Sequence, residues 1–447
     1  MLQNKKHQMK RIWFIITALV VVLLAIFFMV PRHEQSTQST QSTTKVATVD
    51  DQPVQLNTSA TSALVVDLTT GQILGQKNSS KQVAIASQSK MLTAYGVLKS
   101  IKSGKIKWST MVPITSKADL SKEDSHMFSH IAIKAGDKVS VRELYDVMFA
   151  NSANDAAFAL GEFVTPKGET TKQALESWAK ELHLSGSQWY NSAGQVNENA
   201  FENEISSAPK TASNKASNQQ LAMIARAILE LDPSLRQLSK KLTISYHMTP
   251  NFVVTDKTDY WQLMTETMPN LSNPNQLTIE GLKTGSSPES GAGFTGLIKD
   301  KNGHEFITVV NGIANYMDET KRYQESLRIV DQVLAQKQPN YIKENQTVGH
   351  LKTLTFPNTK QEHIIVKAAQ TRHYWTNKGV KLAFTQPTFD SKLANIKKNQ
   401  TVGYTTAALN AQYLPYAQKT EKRISLKSTS SSKPVNWFVK FWRDRTK

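Results

Sequence analysis

The chain contains no cysteine, and this absence removes several kinds of chemistry at once. Disulfides, thiolate metal sites and a cysteine nucleophile are all excluded. The ten histidines are scattered, and no His-Glu-x-x-His spacing occurs among them. The sequence therefore predicts neither a metal site nor another cofactor.

Acidic residues are scarce at both ends of the chain, whose formal net charge is +18. Residues 1–11 hold four basic residues and no acid, and residues 419–447 hold nine basic and two acidic residues, so the ends account for +11 of the total. A nucleic-acid-binding protein carries its basic residues on the folded body. We therefore expect no nucleic-acid partner, and an anionic membrane surface near each end.

Residues 12–30 are a long hydrophobic run, IWFIITALVVVLLAIFFMV, in which Thr17 is the only polar residue. A helix of this length measures about 28 Å and can cross the hydrocarbon core of a bilayer. Because the basic segment 1–11 precedes the run, we expect a cytoplasmic N-terminus, a transmembrane anchor over residues 12–31, and the remaining chain on the extracytoplasmic face. A cleaved signal peptide predicts the same export, but no small-x-small cleavage site follows the run.

The remaining chain divides into four parts by composition and periodicity. Residues 32–60 are rich in Ser, Thr and Gln without an apolar period, which predicts a disordered linker. Residues 61–338 mix strand and helix patterns, and we expect an α/β (α+β) domain with an antiparallel sheet of about five strands and a helical block inserted between its halves. The short alternating segments of residues 339–425 predict a small β-rich domain. Residues 426–447 are expected to form a linker and an amphipathic helix.

The pattern of residues 61–338 also predicts particular turns and helices. Two hairpins are expected at Thr70-Gly71 and Asn302-Gly303. One helix should open with a capping box at Ser140, another should cover residues 218–231, and a long amphipathic helix should end near residue 336.

A short sequence echo lies in the β-rich domain. ENQTVGHL at residues 344–351 resembles KNQTVGYT at residues 398–405. The echo favours a small all-β domain that uses the same strand and turn twice.

The last fifteen residues, KPVNWFVKFWRDRTK, form an amphipathic pattern. On a helical wheel the aromatic residues between 437 and 442 share one side, while Lys440 and Arg443 lie on the other. This pattern predicts an interfacial helix on an anionic membrane. The alternative is a helix that packs on its own β-rich domain. The Ser-rich stretch 425–434 favours the membrane, because it resembles a spacer that separates the helix from any core.

A serine and a lysine three positions apart begin a helical pattern at ASQSKMLTAYGVL. Residues i and i+3 share one face of a helix, so Ser87 and Lys90 are predicted to be neighbours in space. The spacing alone is weak evidence, because it recurs at residues 207–210 and 430–433 in segments that resemble loop and linker. Its context is stronger, since a hairpin precedes it and two further motifs follow in order.

These motifs are Ser152-Ala153-Asn154, near which we expect a helix to begin, and Lys283-Thr284-Gly285 in a strand pattern. Helix N-capping is the alternative interpretation of Ser152 and Asn154. Ser-x-x-Lys, Ser-x-Asn and Lys-Thr-Gly in this order are the signature of penicillin-interacting serine enzymes. On these motifs the chain resembles the serine-type D-alanyl-D-alanine carboxypeptidases, low-molecular-mass penicillin-binding proteins of the DD-peptidase/β-lactamase superfamily.

The resemblance implies a β-lactamase/transpeptidase-like domain that removes the terminal D-Ala from peptidoglycan pentapeptide stems through a serine acyl-enzyme, with β-lactams as covalent inhibitors. For the reaction itself, the resemblance implies that Ser87 is the nucleophile, Lys90 the general base and Ser152 a proton relay, with Asn154 as a positioning residue. For substrate binding, it implies that Lys283 and Thr284 bind the substrate carboxylate, that Gly285 allows close approach of the substrate, and that Ser287 presents a hydroxyl to it. The backbone N–H groups of Ser87 and Ser286 are the implied oxyanion donors. Burial and a second cation both lower a lysine pKa, and the resemblance brings Lys283 close to Lys90.

Three other functions remain open at this point. A serine β-lactamase shares the motifs, although the Ser-Ala-Asn form, the β-rich domain and the tail argue against it. A transpeptidase of the same superfamily is a further possibility, but no large second domain supports it. A non-catalytic cell-wall-binding scaffold differs from all of these, because it predicts no covalent penicillin adduct.

Overall fold

The computed structural model describes residues 48–125, 127–131, 133–249, 252–415 and 422–445. The predicted cytoplasmic segment and membrane anchor, residues 1–31, lie outside these ranges, as does most of the predicted linker. Within the ranges, no helix combines the length and the apolar character that a membrane crossing needs.

The strands of the described residues are β1 Val49–Asp51, β2 Val54–Gln55, β3 Ser62–Asp67, β4 Ile73–Lys77, β5 Val83–Ala84, β6 Met111–Pro113, β7 Lys138–Ser140, β8 Lys215–Ala216, β9 Thr243–Thr249, β10 Phe252–Lys257, β11 Thr278–Ser287, β12 Gly291–Lys299, β13 Glu305–Ile313, β14 Lys337–Ile342, β15 Thr353–Thr355, β16 His363–Ala368, β17 Arg372–Asn377, β18 Thr388–Phe389, β19 Thr401–Thr406, β20 Leu409–Ala411 and β21 Arg423–Ser428. The α-helices are α1 Lys90–Lys102, α2 Val141–Ala150, α3 Asn154–Val164, α4 Thr171–Glu181, α5 Asn218–Leu231, α6 Leu235–Leu238, α7 Asp259–Gln262, α8 Glu319–Gln336 and α9 Trp437–Arg445.

A six-stranded sheet in the order β11-β12-β13-β3-β4-β2 forms the centre of the first domain. Both predicted hairpins are present. The β3–β4 turn contains Gly71 at φ 71°, and the β12–β13 turn contains Gly303 at φ 87°, values that glycine adopts without strain. Strand β11, which carries the Lys-Thr-Gly motif, lies at the edge of the sheet, so one of its sides is open to a neighbouring element.

The sheet is buried on both faces, which explains why the four central residues of β3, 63–66, are all apolar. Leu64 and Val66 pack into the core shared with the helical block. Ala63 and Val65 point the other way, into the core shared with α8. Because successive side chains of a strand alternate between faces, the same six residues contribute to two cores.

The predicted helical block consists of α1 to α5 and is inserted between β5 and β9. Capping boxes open α2 at Ser140, α4 at Thr170 and α5 at Ser217. Helix α5 covers residues 218–231, and α8 ends at residue 336, as predicted. The block meets the sheet near β11, and the residues of the three sequence motifs, including Ser87 and Ser152, lie there.

The β-rich domain contains a five-stranded sheet in the order β15-β16-β21-β19-β18. The sequence echo corresponds to a repeated turn, because Asn345 and Asn399 both have φ 64°. In each copy the glutamine that follows accepts a backbone N–H through its side chain, at 2.9 and 2.8 Å. The prediction that this domain uses the same turn twice is confirmed, but the repeated strand is wrong, because Thr401–Thr406 form β19 whereas residues 347–350 contain only an isolated bridge at Val348.

The prediction of a disordered linker over residues 32–60 is wrong for its last residues. Strand β1 pairs with β20 and β2 pairs with β4, so a linker strand becomes the sixth strand of the central sheet. Val54 and Leu56 are buried. These strands have only two or three residues and their partners lie elsewhere in the chain, so no local period indicates them.

The prediction that the segment 426–447 begins with a linker is also wrong. Residues 423–428 form β21 in the middle of the β-rich sheet, and Leu426 and Ser428 are completely buried. Ser428 Oγ donates to the carbonyl oxygen of Lys397 at 2.6 Å. Ser425 and Ser428 therefore belong to a packed strand, and α9 follows the folded domain closely.

Helix α9 is attached to the β-rich domain and also exposes its aromatic side. Nη1 of Arg443 donates to the carbonyl oxygens of Pro357 and Thr359 at 2.9 and 2.7 Å. The exposed fractions of the aromatic side chains are 78 % for Trp437, 55 % for Phe438, 44 % for Phe441 and 47 % for Trp442. The packing alternative is therefore confirmed for the Arg443 side of the helix, and the membrane interpretation stays a prediction for its exposed aromatic side.

Candidate active site

Ser87 and Lys90 lie together at the start of α1. A 3₁₀ turn over Ala86–Ser89 precedes the helix, and Nζ of Lys90 donates to Oγ of Ser87 at 2.7 Å. Ala86 has φ 42°, and Gly194 at φ 80° packs against its carbonyl group. A Cβ at Gly194 would lie 2.0 Å from that carbonyl oxygen, so only glycine fits against the turn. The predicted proximity of Ser87 and Lys90 is confirmed.

Lys90 is completely buried, and its ammonium nitrogen donates to neutral oxygen atoms. Besides Ser87, these are Oδ1 of Asn154 at 2.7 Å and the carbonyl oxygen of Ala193 at 3.0 Å. Burial lowers the pKa of Lys90 far below its ordinary value, and the charge of Lys283 lowers it further. A lysine in this environment loses its proton more readily than an exposed lysine, and the neutral amine can accept a proton from Ser87.

Ser152 lies between α2 and α3, with φ 54°. Its Oγ accepts a hydrogen bond from Nζ of Lys283 at 2.9 Å. Helix α3 begins at Asn154 and has Ala153 as its N-cap, without a side-chain capping bond. The N-capping alternative for Ser152 and Asn154 is therefore wrong, and the two side chains bond to the two lysines instead.

Lys283, Thr284 and Gly285 follow one another on the edge strand β11. Nζ of Lys283 lies 3.3 Å from the carbonyl oxygen and 3.5 Å from Oγ1 of Thr284. A Cβ at Gly285 would lie 2.5 Å from the carbonyl oxygen of Ile85 and 3.0 Å from the backbone nitrogen of Gln88. Glycine thus allows the edge strand to lie directly against the turn that carries Ser87.

Lys283 is also buried, and its pKa is lowered as well. Burial lowers the pKa of Lys283, Asp259 opposes this effect and Arg322 adds to it, and the result is about 8. At neutral pH this lysine is therefore mostly charged and can bind a carboxylate.

Arg322 is a residue of the site that the sequence motifs do not indicate. It lies on α8, is buried, and its Nη1 donates to Oγ of Ser286 at 2.7 Å. One sequence signal exists, because Arg322 shares a helix face with the buried residues Ser326, Ile329 and Val333 at spacings of four, seven and eleven. A basic side chain on the apolar face of a helix is unusual and marks a possible site.

Ser286 and Ser287 end β11 and have different surroundings. Ser286 borders the cleft and bonds to Arg322. Oγ of Ser287 accepts the backbone N–H of Ser290 at 3.0 Å, and Ser287 does not line the cleft. The hydroxyl of Ser287 is thus engaged in the β11–β12 turn, away from the other predicted site residues.

These residues surround an open, polar cleft with an empty volume of about 660 Å³. The residues that line it are Ser87, Ser129, Ser152, Asp259, Gln262, Leu263, Thr267, Thr284, Gly285, Ser286, Arg322 and Tyr323. In the described part of the chain, no three His, Asp or Glu side chains are grouped as metal ligands. A nucleophile, a buried base and a cationic end wall in one cleft are suited to acyl transfer from a substrate that carries a carboxylate.

Comparisons with known proteins agree with this chemistry. Residues 46–315 match the family described as D-alanyl-D-alanine carboxypeptidase. The D-alanyl-D-alanine carboxypeptidase DacF of Bacillus subtilis is 26% identical over 77% of this chain and 80% of its own length. DacD of Escherichia coli is 30% identical over 58% of this chain and 60% of its own length. The crystal structure of a peptidoglycan synthesis regulatory factor from Streptococcus pneumoniae shares the fold, with a TM-score of 0.71 and 22% identity over 84% of this chain and 99% of the other.

Proposed function

Because the chain belongs to the D-alanyl-D-alanine carboxypeptidase family, we propose that it removes the terminal D-Ala from peptidoglycan pentapeptide stems. The observation that carries the proposal is the 2.7 Å contact between Nζ of Lys90 and Oγ of Ser87 in a buried site beside a second cation. A lysine with a lowered pKa can activate a serine hydroxyl, a role that histidine has in other serine hydrolases.

Acylation begins when neutral Lys90 takes the hydroxyl proton of Ser87. Oγ of Ser87 attacks the carbonyl carbon of the penultimate D-Ala, and negative charge develops on the carbonyl oxygen. The backbone N–H groups of Ser87 and Ser286 are the proposed donors to this oxygen. Loss of one such donor typically lowers the rate on the order of a hundredfold.

The leaving nitrogen needs a proton when the bond to the terminal D-Ala breaks. Ser152 is the proposed relay from Lys90 to that nitrogen, since it lines the cleft and lies 2.9 Å from Nζ of Lys283. Asn154 keeps Lys90 in place through their 2.7 Å hydrogen bond. The result is free D-Ala and an ester on Ser87.

Recognition of the C-terminal carboxylate of the substrate explains why two cations, Lys283 and Arg322, lie at the cleft. The terminal carboxylate of the stem would bind Lys283, the hydroxyl of Thr284 and Arg322, through charge-assisted hydrogen bonds. An arginine adds two parallel donors with a geometry that matches a carboxylate. Peptides without a free C-terminal carboxylate should therefore be poor substrates.

Water completes the cycle by hydrolysing the ester, with Lys90 again as the base. A β-lactam presents an amide and a carboxylate to the same groups, so it should acylate Ser87. Its leaving nitrogen remains attached to the acyl group, which can obstruct the attack of water. A persistent adduct is therefore expected.

Intact-mass spectrometry after incubation with a penicillin tests the proposal, together with an assay of D-Ala release from a pentapeptide. We expect a one-to-one adduct on the natural protein and none on Ser87→Ala. Ser207→Ala is a matched control, because Ser207 begins another Ser-x-x-Lys spacing and is exposed. Rapid turnover of penicillin would support the serine β-lactamase. No adduct, with intact penicillin recovered, would support the non-catalytic scaffold.

We also propose that the protein is held at the extracytoplasmic face of the cell membrane. The hydrophobic run of residues 12–30 supports an anchor. The exposed aromatic side of α9, beside the basic residues of the tail, supports a second contact with an anionic lipid surface.

Vesicle binding tests the second contact in a protein that begins at Val46, the start of the compact unit. Serine at both Trp437 and Phe441 should weaken binding to anionic vesicles. Phe252→Ser is the control, because Phe252 is 58 % exposed at a different place. Unchanged binding of the double variant would rule out the proposed role of α9.

A further inference from the structure

The cleft contains an acidic side chain that the proposed reaction does not use. Asp259 is the one acid among the described residues that line the cleft, and it is exposed. The other charged groups there are cations: Arg322 in the wall, with Lys90 and Lys283 buried beneath. An anion in such a place is complementary to a cationic part of a ligand.

The backbone around Asp259 is fixed close to Ser152. Nδ2 of Asn151 donates to the carbonyl oxygen of Lys257 at 2.9 Å, which joins the segment before α7 to the loop that carries Ser152. Thr258 is buried, and its hydroxyl both donates to and accepts from backbone groups. The position of Asp259 is therefore determined by the same loop that positions the proposed proton relay.

Asp259 also lies within electrostatic reach of both site lysines. Its charge raises the pKa of Lys90 and of Lys283, against the larger effect of burial. Asp259 borders the cleft together with Ser152 and Thr284, and it borders a second space of about 410 Å³ together with Lys283. Asp259 thus shares one cleft with the proposed relay Ser152, beside which the leaving nitrogen is expected, and with Thr284 of the proposed carboxylate site.

We propose that Asp259 binds the ammonium group of the D-amino acid that leaves Ser87, and of a D-amino acid that replaces it. The inference rests on the proposed function, because it concerns the leaving-group side of the same reaction. Free D-Ala is a zwitterion. Its carboxylate is complementary to Lys283, Thr284 and Arg322, and its ammonium group is complementary to Asp259.

The replacement reaction balances without a further reactant. The amine nitrogen attacks the ester carbonyl, a C–N bond forms, and the C–O bond to Ser87 breaks. Of the three ammonium protons, one stays on the new amide, one reaches Oγ of Ser87 through Lys90, and one goes to solvent. Water and the amine compete for the same ester, so the ratio of the two products reports amine binding.

This ratio is measurable with a peptide ester that ends in D-Ala-D-lactate, because its acylation releases no amine. The full chain is mixed with the ester and increasing D-Ala, and initial rates of peptide amide and peptide acid formation are followed by mass spectrometry. Asp259→Asn should lower the amide-to-acid ratio at subsaturating D-Ala about tenfold, as expected for a lost hydrogen bond to a charged group. Asp259→Glu should retain part of the ratio.

Asp390→Asn is the charge-matched control, since Asp390 is exposed in the β-rich domain. A ratio in Asp259→Asn equal to that of the natural protein would overturn the inference. The inference would also be overturned if Asp259→Asn changed the rates of amide and acid formation equally and shifted their pH profile. Asp259 would then act only through the pKa values of the lysines. If the natural protein forms acid but no amide at any D-Ala concentration, the inference alone fails. If it forms neither product, the proposed function fails as well.

Discussion

Two regions of the chain each bury a lysine side chain, and the groups around the two ammonium nitrogens differ in charge. In the cleft, Lys90 donates to neutral oxygens and has a second lysine nearby. At the junction of the two domains, Nζ of Lys337 lies 3.0 Å from Oδ1 of Asp51, and neither side chain is exposed. The carbonyl oxygen of Gln52 at 2.9 Å completes the junction site. The comparison separates a buried lysine that contacts neutral oxygens beside a second cation from one that contacts a buried carboxylate.

The two sites should also differ in what the loss of the lysine does to the protein. A buried cation without a counter-ion is stabilised by losing its charge, and this is the property that a base needs. Removal of one partner of a buried ion pair leaves the other charge in the interior, which is strongly destabilising. We therefore expect that replacing Lys90 lowers activity and has little effect on stability. Replacing Lys337 should lower stability and leave the chemistry of the cleft unchanged.

The largest effect is expected for Lys90→Met. Methionine fills a similar volume but accepts no proton, so the rate of Ser87 acylation should fall by about 10³- to 10⁴-fold. Stopped-flow acylation by a fluorescent penicillin gives the rate, and thermal unfolding gives the stability. A variant destabilised as strongly as Lys337→Met would remove the distinction between the two sites.

The second effect is expected for Lys337→Met. It leaves Asp51 buried without its cation and should lower the free energy of unfolding by about 3–5 kcal/mol. Adding Asp51→Asn should restore part of the loss, because the amide oxygen can still accept the backbone N–H of Asn377. Denaturant unfolding checks both values, with the exposed Lys352→Met as control. The acylation rate of the folded protein should match that of the natural chain.

A smaller effect should follow Gly285→Ala. The new Cβ meets the carbonyl oxygen of Ile85 at 2.5 Å, so β11 has to move away from the turn of Ser87. A displacement approaching 1 Å can cost on the order of a hundredfold in rate. The acylation rate checks this prediction, and Gly303→Ala, at a turn far from the cleft, is the control. Equal rates for the two variants would show that the strand spacing is not critical.

The smallest effect is a pH dependence. A cation disappears as pH rises through its pKa, so above pH about 8 neutral Lys283 should no longer attract the substrate carboxylate. The second-order acylation rate should then fall tenfold per pH unit toward a plateau. A substrate whose C-terminus is an amide should lack this alkaline limb. If both substrates show the same limb, another group titrates there.

The residues of local motifs could be predicted from the sequence, and those of distant contacts could not. The pair Ser87 and Lys90 follows from helical spacing, and the two hairpins follow from their turn residues. Arg322 reaches the cleft from a helix that packs on the opposite face of the sheet, so no motif contains it. The sequence pattern predicts a linker at β1, because a three-residue strand gains its stability from a partner that lies far along the chain.

The pairing of β1 with β20 determines how the protein carries mechanical load. A pull on the chain before Val49 first reaches β20 in the β-rich domain and the ion pair of Asp51 with Lys337. Strand β11, which holds the carboxylate site, lies at the other edge of the central sheet from β2. Tension applied to the chain before Val49 would therefore act first on the domain junction, on the opposite side of the central sheet from the strand that holds Lys283 and Thr284.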